Sequence, residues 1–195
     1  MSALVSTLLR RSQRLWVTAI IASGHTEMAI RYLRNPTPAH SVRVLRAFGA
    51  TIGEGTTIKR SLHLDNVHRD RNSTGDFSHI RIGSNCYIGD GVYFDLANEV
   101  ILDDNAILSG GVSILTHADC NRSPVLVEQF PRECLPVHIK TGAWIGFGAT
   151  ILAGSVIEKN AVVGAQSLVN GRVEAHSLYA GAPARKIREL NSPTR

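Results

Sequence analysis

One histidine of the 195-residue chain stands where a regular pattern stops: His117, in "ILTHAD" at 114–119. Imidazole is the side chain best tuned to accept a proton near neutral pH. A fixed histidine can therefore act as general base toward a hydroxyl, which is a poor nucleophile until its proton is removed. A second set of reactive types fills "LHLDNVHRDRNSTGDFSH" at 62–79, where His63, His68 and His79 accompany Asp65 and Asp70. These are metal-ligand types. The third set lies in "GAPARKIREL" at 181–190, whose Arg185, Lys186 and Arg188 either meet phosphate oxygens or form a solvated basic end. Asp95, 22 positions before His117, is consistent on its own with turn chemistry.

The element that must position these residues is a six-residue period. From Ile139 the chain reads IKTGAW, IGFGAT, ILAGSV, IEKNAV, VGAQSL, VNGRVE, AHSLYA without slippage. An earlier set begins at Ile82 (IGSNCY, IGDGVY, FDLANE), is reset by two extra residues, and resumes at Leu102 (LDDNAI, LSGGVS) before Ile114. Ile52 and Ile58 open a shorter one. A six-residue block is too long for a pleat period and too short for a helical hairpin, so each is a short strand plus a turn, and three close a triangular coil. The aliphatic first position and the small or β-branched fifth point inward; Cys86, at a fifth position, belongs to the packing. The second position is often glycine (Gly53, Gly83, Gly89, Gly146, Gly164), which suits a corner needing positive φ or close backbone approach. The rhythm fails between Leu115 and His138, where a loop is expected to leave the coil.

Composition sets the bounds. With 44% apolar and 19% charged residues the chain is expected to be globular. No apolar run approaches the roughly 20 residues that cross a bilayer. "LWVTAIIASG" at 15–24 follows arginines as a secretory signal would, but "HTEMAIRYLRN" continues it as an amphipathic helix. Cys86, Cys120 and Cys134, without a CxxC, fit reduced thiols and a cytoplasmic setting, where the "NST" at 72 and "NRS" at 121 would be chance matches to a glycosylation site. Residues 1–46 hold seven arginines against one glutamate, yet with 6% aromatics no basic face interleaved with rings appears, so a small anion is a better partner than nucleic acid. Leu4, Leu8, Leu9, Leu15, Trp16, Ile20 and Ile21 among those arginines predict one or two amphipathic helices. These either cap the solenoid or rest, through residues 1–34, on the inner face of a membrane.

The repeat over 48–181 resembles that of the hexapeptide-repeat family, and the tail resembles the terminal signature of its acetyl-CoA-dependent O-acetyltransferases, similar to galactoside, maltose, nodulation-factor and surface-polysaccharide acetyltransferases. The resemblance implies a left-handed parallel β-helix over 48–181 with a protruding loop 115–138; the apolar pattern adds a helical N-terminal segment 1–47, and Pro183 the start of a short C-terminal helix within 182–195. It implies a homotrimer with active sites between subunits, acetyl-CoA as acetyl donor, no metal, and direct transfer to a hydroxyl of a sugar, sugar nucleotide or surface-glycan precursor. His117 matches the catalytic base and Asp95 the acceptor-contacting carboxylate. Trp144 matches a tryptophan bordering the coenzyme channel, the backbone at Gly146 and Phe147 the amide donor to the thioester oxygen, Ala165 the pantetheine arm, and Arg185, Lys186 and Arg188 the coenzyme phosphates. Cys86-Tyr87-Ile88 stands where the galactoside and maltose enzymes carry an asparagine-rich acceptor segment, and the N-terminal segment also differs, so the resemblance does not carry over the identity of the acceptor. Two other readings of the solenoid are a γ-type carbonic anhydrase, which needs three histidines converging on a metal, and a non-catalytic scaffold.

Overall fold

The computed structural model describes residues 3–120 and 122–191, with side chains from Ser12 onward apart from Pro38. The side chains of Leu4, Leu8 and Leu9, the sequon residue Asn121 and the outermost residues of both terminal segments lie outside the described residues.

The hexads form a triangular β-helix with three parallel walls. The first wall stacks Thr51–Ile52, Ile80–Ile82, Val100–Leu102, Val137–Ile139, Val156–Ile157 and Arg172–Val173. The second stacks Thr57–Ile58, Tyr87–Ile88, Ile107–Leu108, Trp144–Ile145, Val162–Val163 and Ser177–Ala180. The third stacks His63–Asp65, Tyr93–Asp95, Ser113–Ile114, Thr150–Ile151 and Leu168–Val169. Each coil passes from the first wall to the second, the third and back. Register follows the repeat, with Ile145 level with Leu108 above and Val163 below. The aliphatic columns are closed to solvent: Ile88, Leu108, Ile114, Ile139, Ile145, Ile151 and Val163 are all fully buried, and so are the fifth-position residues Val92, Ala106, Val112, Ala143, Ala149 and Ala161.

The glycines divide by position. Second-position glycines allow close stacking: a Cβ on Gly89 would lie 2.5 Å from the amide of Gly110, and one on Gly146 2.6 Å from that of Ala165. Positive φ falls instead on the fourth residue of the block, at Asn85 (55°), Gly91 (70°), Asn105 (61°), Gly148 (66°) and Asn160 (55°), which turn each corner.

Three helices precede the solenoid: α1 (Ala3–Ser23), α2 (Thr26–Leu33) and α3 (Pro38–Ala47). α3 packs on the first strands of walls one and two, and α2 on the first strand of wall three. Val17, Ile20, Leu33, Val44 and Leu45 are buried against that end, whereas Leu15 and Trp16, which the sequence groups with the apolar face, are 72% and 57% exposed. No described helix is long and apolar enough to cross a membrane.

The tail departs from expectation. Instead of a C-terminal helix, Arg185–Glu189 form a strand that turns back antiparallel on Ser177–Ala180 and becomes the last strand of wall two. The unpaired edge of Ser177–Ala180 offers this segment backbone partners that a helix would forgo.

Every departure from the six-residue count lies at the corner from wall three to wall one. The segment 66–79 leaves there in the first coil, 96–99 adds two residues in the second, the loop after Ile114 leaves in the third, and the fourth is two residues short: Val173, not Ala175, stands level with Ile157, so the repeat slips where the sequence reads as unbroken. That loop carries a short antiparallel pair, His117–Ala118 with Glu133–Cys134, and a single helical turn at Leu126–Gln129.

Candidate active site

Asp95 and His117 meet at this corner. Asp95 ends its strand in register with Asp65, one coil above the loop. Its Oδ2 accepts the amides of Thr116 (2.8 Å) and His117 (3.0 Å) and lies 2.6 Å from His117 Nδ1. Its Oδ1 accepts Asn66 Nδ2 at 2.7 Å and the Ala97 amide at 3.2 Å. Thr116, fully buried, donates its hydroxyl to the Asp95 carbonyl at 2.9 Å and accepts the Asn98 amide at 3.0 Å, while Asn98 Nδ2 holds the Cys134 carbonyl at 3.1 Å. The histidine is therefore fixed from the coil above by a carboxylate and from the side by its strand partner.

The protonation pattern follows from these partners. Burial pushes the Asp95 carboxyl up, but the donors from Asn66, His117, Thr116 and Ala97 outweigh it and hold the group below its usual range. An ionised carboxylate at Nδ1 requires the proton on Nδ1, which leaves Nε2 with its lone pair outward. The His117 side chain is 24% exposed, so the ring is not sealed from solvent.

Asp95 is not an open acceptor ligand, as the sequence suggested. At 1% exposure its oxygens are occupied by Asn66, Ala97, Thr116 and His117, which places it behind the His117 ring. Asn66, Thr116, Asn98 and Arg132 are parts of the site that the sequence reading missed; their partners are distant in the chain, and no local pattern announces them.

The other predicted residues lie on wall two and at the corner between walls two and three, one corner away from His117. Trp144 is 50% exposed with its indole N–H on Ser109 Oγ at 3.0 Å, and Phe147 is 62% exposed. Gly146 cannot supply its amide to a ligand, because that amide closes the ladder to Val163 at 2.8 Å. The amides of Phe147 and Ala165, at the same corner in successive coils, have no partner among the described residues. Arg185, Lys186 and Arg188 follow on wall two, three strand spacings from Trp144, roughly 14 Å at about 4.8 Å each. Lys186 is drawn into ion pairs with Glu174 (2.6 Å) and Glu189, which raise its pKa. Among the described residues Arg185 and Arg188 bond only to nearby carbonyls, which leaves donors for an anion.

The histidines of 62–79 do not converge. His79 Nδ1 is bound to the Leu96 carbonyl at 2.9 Å, and the described triad with metal-ligand spacing is instead Asp70, His117 and Asp119, with ligand atoms within 4.8 Å of one another. The Arg132 guanidinium already bridges its two carboxylates, at 2.7 and 2.8 Å. The three-histidine centre of a carbonic anhydrase is thus not formed by these residues.

No protein-family model matches the chain. It is 26% identical over 151 residues to galactoside O-acetyltransferase of Escherichia coli, covering 76% of this chain and 68% of that protein. It is 36% identical over 118 residues to the Saccharomyces cerevisiae protein YJL218W, spanning 55% of this chain and 58% of the yeast protein. Among solved structures, a hexapeptide-repeat acetyltransferase of Vibrio cholerae superposes with a TM-score of 0.71 at 21% identity, over 90% of this chain and 93% of that one. A galactoside acetyltransferase in complex with coenzyme A superposes with a TM-score of 0.71 at 22% identity, over 88% and 82%. The shared fold is the left-handed parallel β-helix.

Proposed function

We propose that this chain, which belongs to the hexapeptide-repeat acetyltransferase family, transfers the acetyl group of acetyl-CoA to a hydroxyl of a sugar, sugar nucleotide or surface-glycan precursor. The observation that carries this reading is the buried Asp95 on Nδ1 of a partly open His117. Nε2 removes the hydroxyl proton as the oxygen attacks the thioester carbonyl, and the negative charge gathers on the carbonyl oxygen. An amide such as that of Phe147 or Ala165 stabilises this oxyanion. The C–S bond then breaks, the acetyl ester remains on the acceptor, and the imidazolium returns its proton to the CoA sulfur. No acyl-enzyme forms.

The donor is held along wall two, with Trp144 and Phe147 beside the arm and Arg185 and Arg188 on the phosphates. Because His117 stands one corner away, we infer that one chain's histidine faces the coenzyme wall of another in a cyclic trimer. Val125, Leu126, Val127, Phe130 and Leu135, exposed on the protruding loop, supply an apolar surface for that contact. For α1, Leu15 and Trp16 beside Arg14 also suit a peripheral contact with an anionic bilayer, which vesicle flotation tests.

The deciding experiment is release of free CoA from acetyl-CoA in the presence of a panel of sugars, sugar nucleotides and lipid-linked saccharides. Acceptor-dependent release with an ester product supports the reading. Absence of both across the panel, with no CoA binding, returns the chain to the scaffold alternative.

A further inference from the structure

The corner segment 66–79 touches the site at two points. At its start Asn66, in the left-handed region at φ 53°, reaches Asp95 Oδ1 and so backs the His117 partner. Farther along, Asp70 Oδ1 accepts Arg132 Nη2 at 2.7 Å, and Asn72 Oδ1 accepts the same nitrogen at 3.1 Å. Arg132 Nη1 donates to Asp119 Oδ2 at 2.8 Å. Arg132 belongs to the protruding loop, 62 residues from Asp70, and Asp119 follows directly on the His117–Ala118 strand.

This is a built contact. The side chains of Arg132, Asp70 and Asp119 are only 12%, 10% and 18% exposed. Asp70 is also held within its own segment: its Oδ1 accepts the Asn72 amide at 2.8 Å and its own amide donates to Ser73 Oγ at 3.0 Å. Burial raises the Asp70 carboxyl, but the Asn72 amide and the Arg132 guanidinium lower it by more, so it stays charged. Two carboxylates this close to each other repel unless a cation lies between them, and the planar guanidinium offers each of them a separate nitrogen in a fixed fork.

We propose that Arg132 is a positioning residue of the acceptor pocket: by latching the corner segment through Asp70 to the protruding loop through Asp119, it holds the loop as a roof beside His117. Its kinetic test rests on the acetyl-transfer reading; its structural test rests on the fold alone. The roof is then set by two segments that lie outside the repeat, and the acceptor, rather than the coenzyme on wall two, senses its loss.

The test is a double-mutant cycle with Arg132→Ala, Asp70→Ala and both together, plus Arg132→Lys. Each single change is expected to raise the acceptor KM about tenfold or more, as for breaking a buried charge pair, while the CoA Kd stays within about twofold. The double variant should be no worse than the worse single, and Arg132→Lys should recover part of the loss. Hydrogen exchange gives the readout without activity: amides of 70–73 and 118–134 should exchange faster together in either single variant, with 137–139 unchanged. Additive kinetic losses, an unchanged acceptor KM with only a lowered Tm, or faster exchange in the loop alone would each overturn the latch. If no acceptor is acetylated by the unaltered protein, it is the acetyl-transfer reading that fails, and the exchange result alone decides the latch.

Discussion

Oδ2 of Asp95 lies 2.6 Å from Nδ1 of His117 while also accepting that residue's own backbone amide at 3.0 Å. One buried oxygen thus fixes both the ring and the main chain that carries it. Asp95→Asn keeps the shape but offers Nδ1 an amide in place of a charged acceptor, so the tautomer and the support for the imidazolium are lost. A fall in kcat of about a hundred- to ten-thousandfold is expected, with the CoA Kd unchanged. A variant within about threefold of the parent in kcat would deny Asp95 its orienting role.

Replacing His117 with Ala removes the base without touching the aliphatic columns or wall two. Turnover should fall about a hundred- to ten-thousandfold while CoA affinity and assembly persist. Retention of more than about a tenth of the activity would remove His117 as the base.

Asp95 is one of the carboxylates that lose their contribution to stability in acid. Its folded pKa lies below the unfolded carboxylate value of about 3.9, so its contribution is fully present above that value and is lost as pH falls through the lower folded value. Melting curves between pH 7 and pH 2 should therefore show the gap between the parent and Asp95→Asn narrowing on the acid side of about pH 4. A constant gap across that window would mean that Asp95 does not titrate low.

The basic tail divides into free and occupied cations. Changing Arg185 and Arg188 together to Ala should weaken CoA by roughly ten- to a thousandfold, from about 1.5 to 3 kcal/mol per charged contact with less than additive totals. Lys186→Ala should matter less, because Glu174 and Glu189 already hold that ammonium. Calorimetric titration of CoA separates the two, and equal losses for all three residues would refute the division.

If each site draws His117 from one chain and wall two from another, inactive variants should complement. Mixed assemblies of His117→Ala with the Arg185→Ala, Arg188→Ala chain should regain a share of activity that neither has alone, and sedimentation of the parent should give three times 21.1 kDa. A 21.1 kDa species at micromolar concentration, or mixtures as inactive as their parts, would place the whole site within one chain.

The solenoid was legible because its rule is local: an aliphatic residue every six positions can only be buried by stacking, and Ile139 to Val163 obey it without exception. The glycines were half legible. Close approach at Gly89 and Gly146 follows from the second position, but the positive φ belongs to the fourth, where Gly91, Asn85 and Asn160 already signalled it by residue type. Pro183 suggested a helix start, yet the open edge of Ser177–Ala180 decided the conformation, a tertiary effect that local propensity does not contain. His117 could be found at the break in the period, whereas Asn66 on Asp95 and Asp70 on Arg132 join residues 29 and 62 apart and could not.

A stack of identical strands has a hazard of its own, since each exposed end is a template for another copy and fibres grow from such ends. Here both exits of wall two are obstructed. α3 lies across Thr57–Ile58 at one end, and at the other Arg185–Glu189 runs against the grain and shows Arg185, Lys186 and Arg188 to solvent. An incoming parallel strand would meet the wrong polarity and the cations of Arg185 and Arg188. On wall two, then, the antiparallel tail occupies the edge that a further parallel strand would have used.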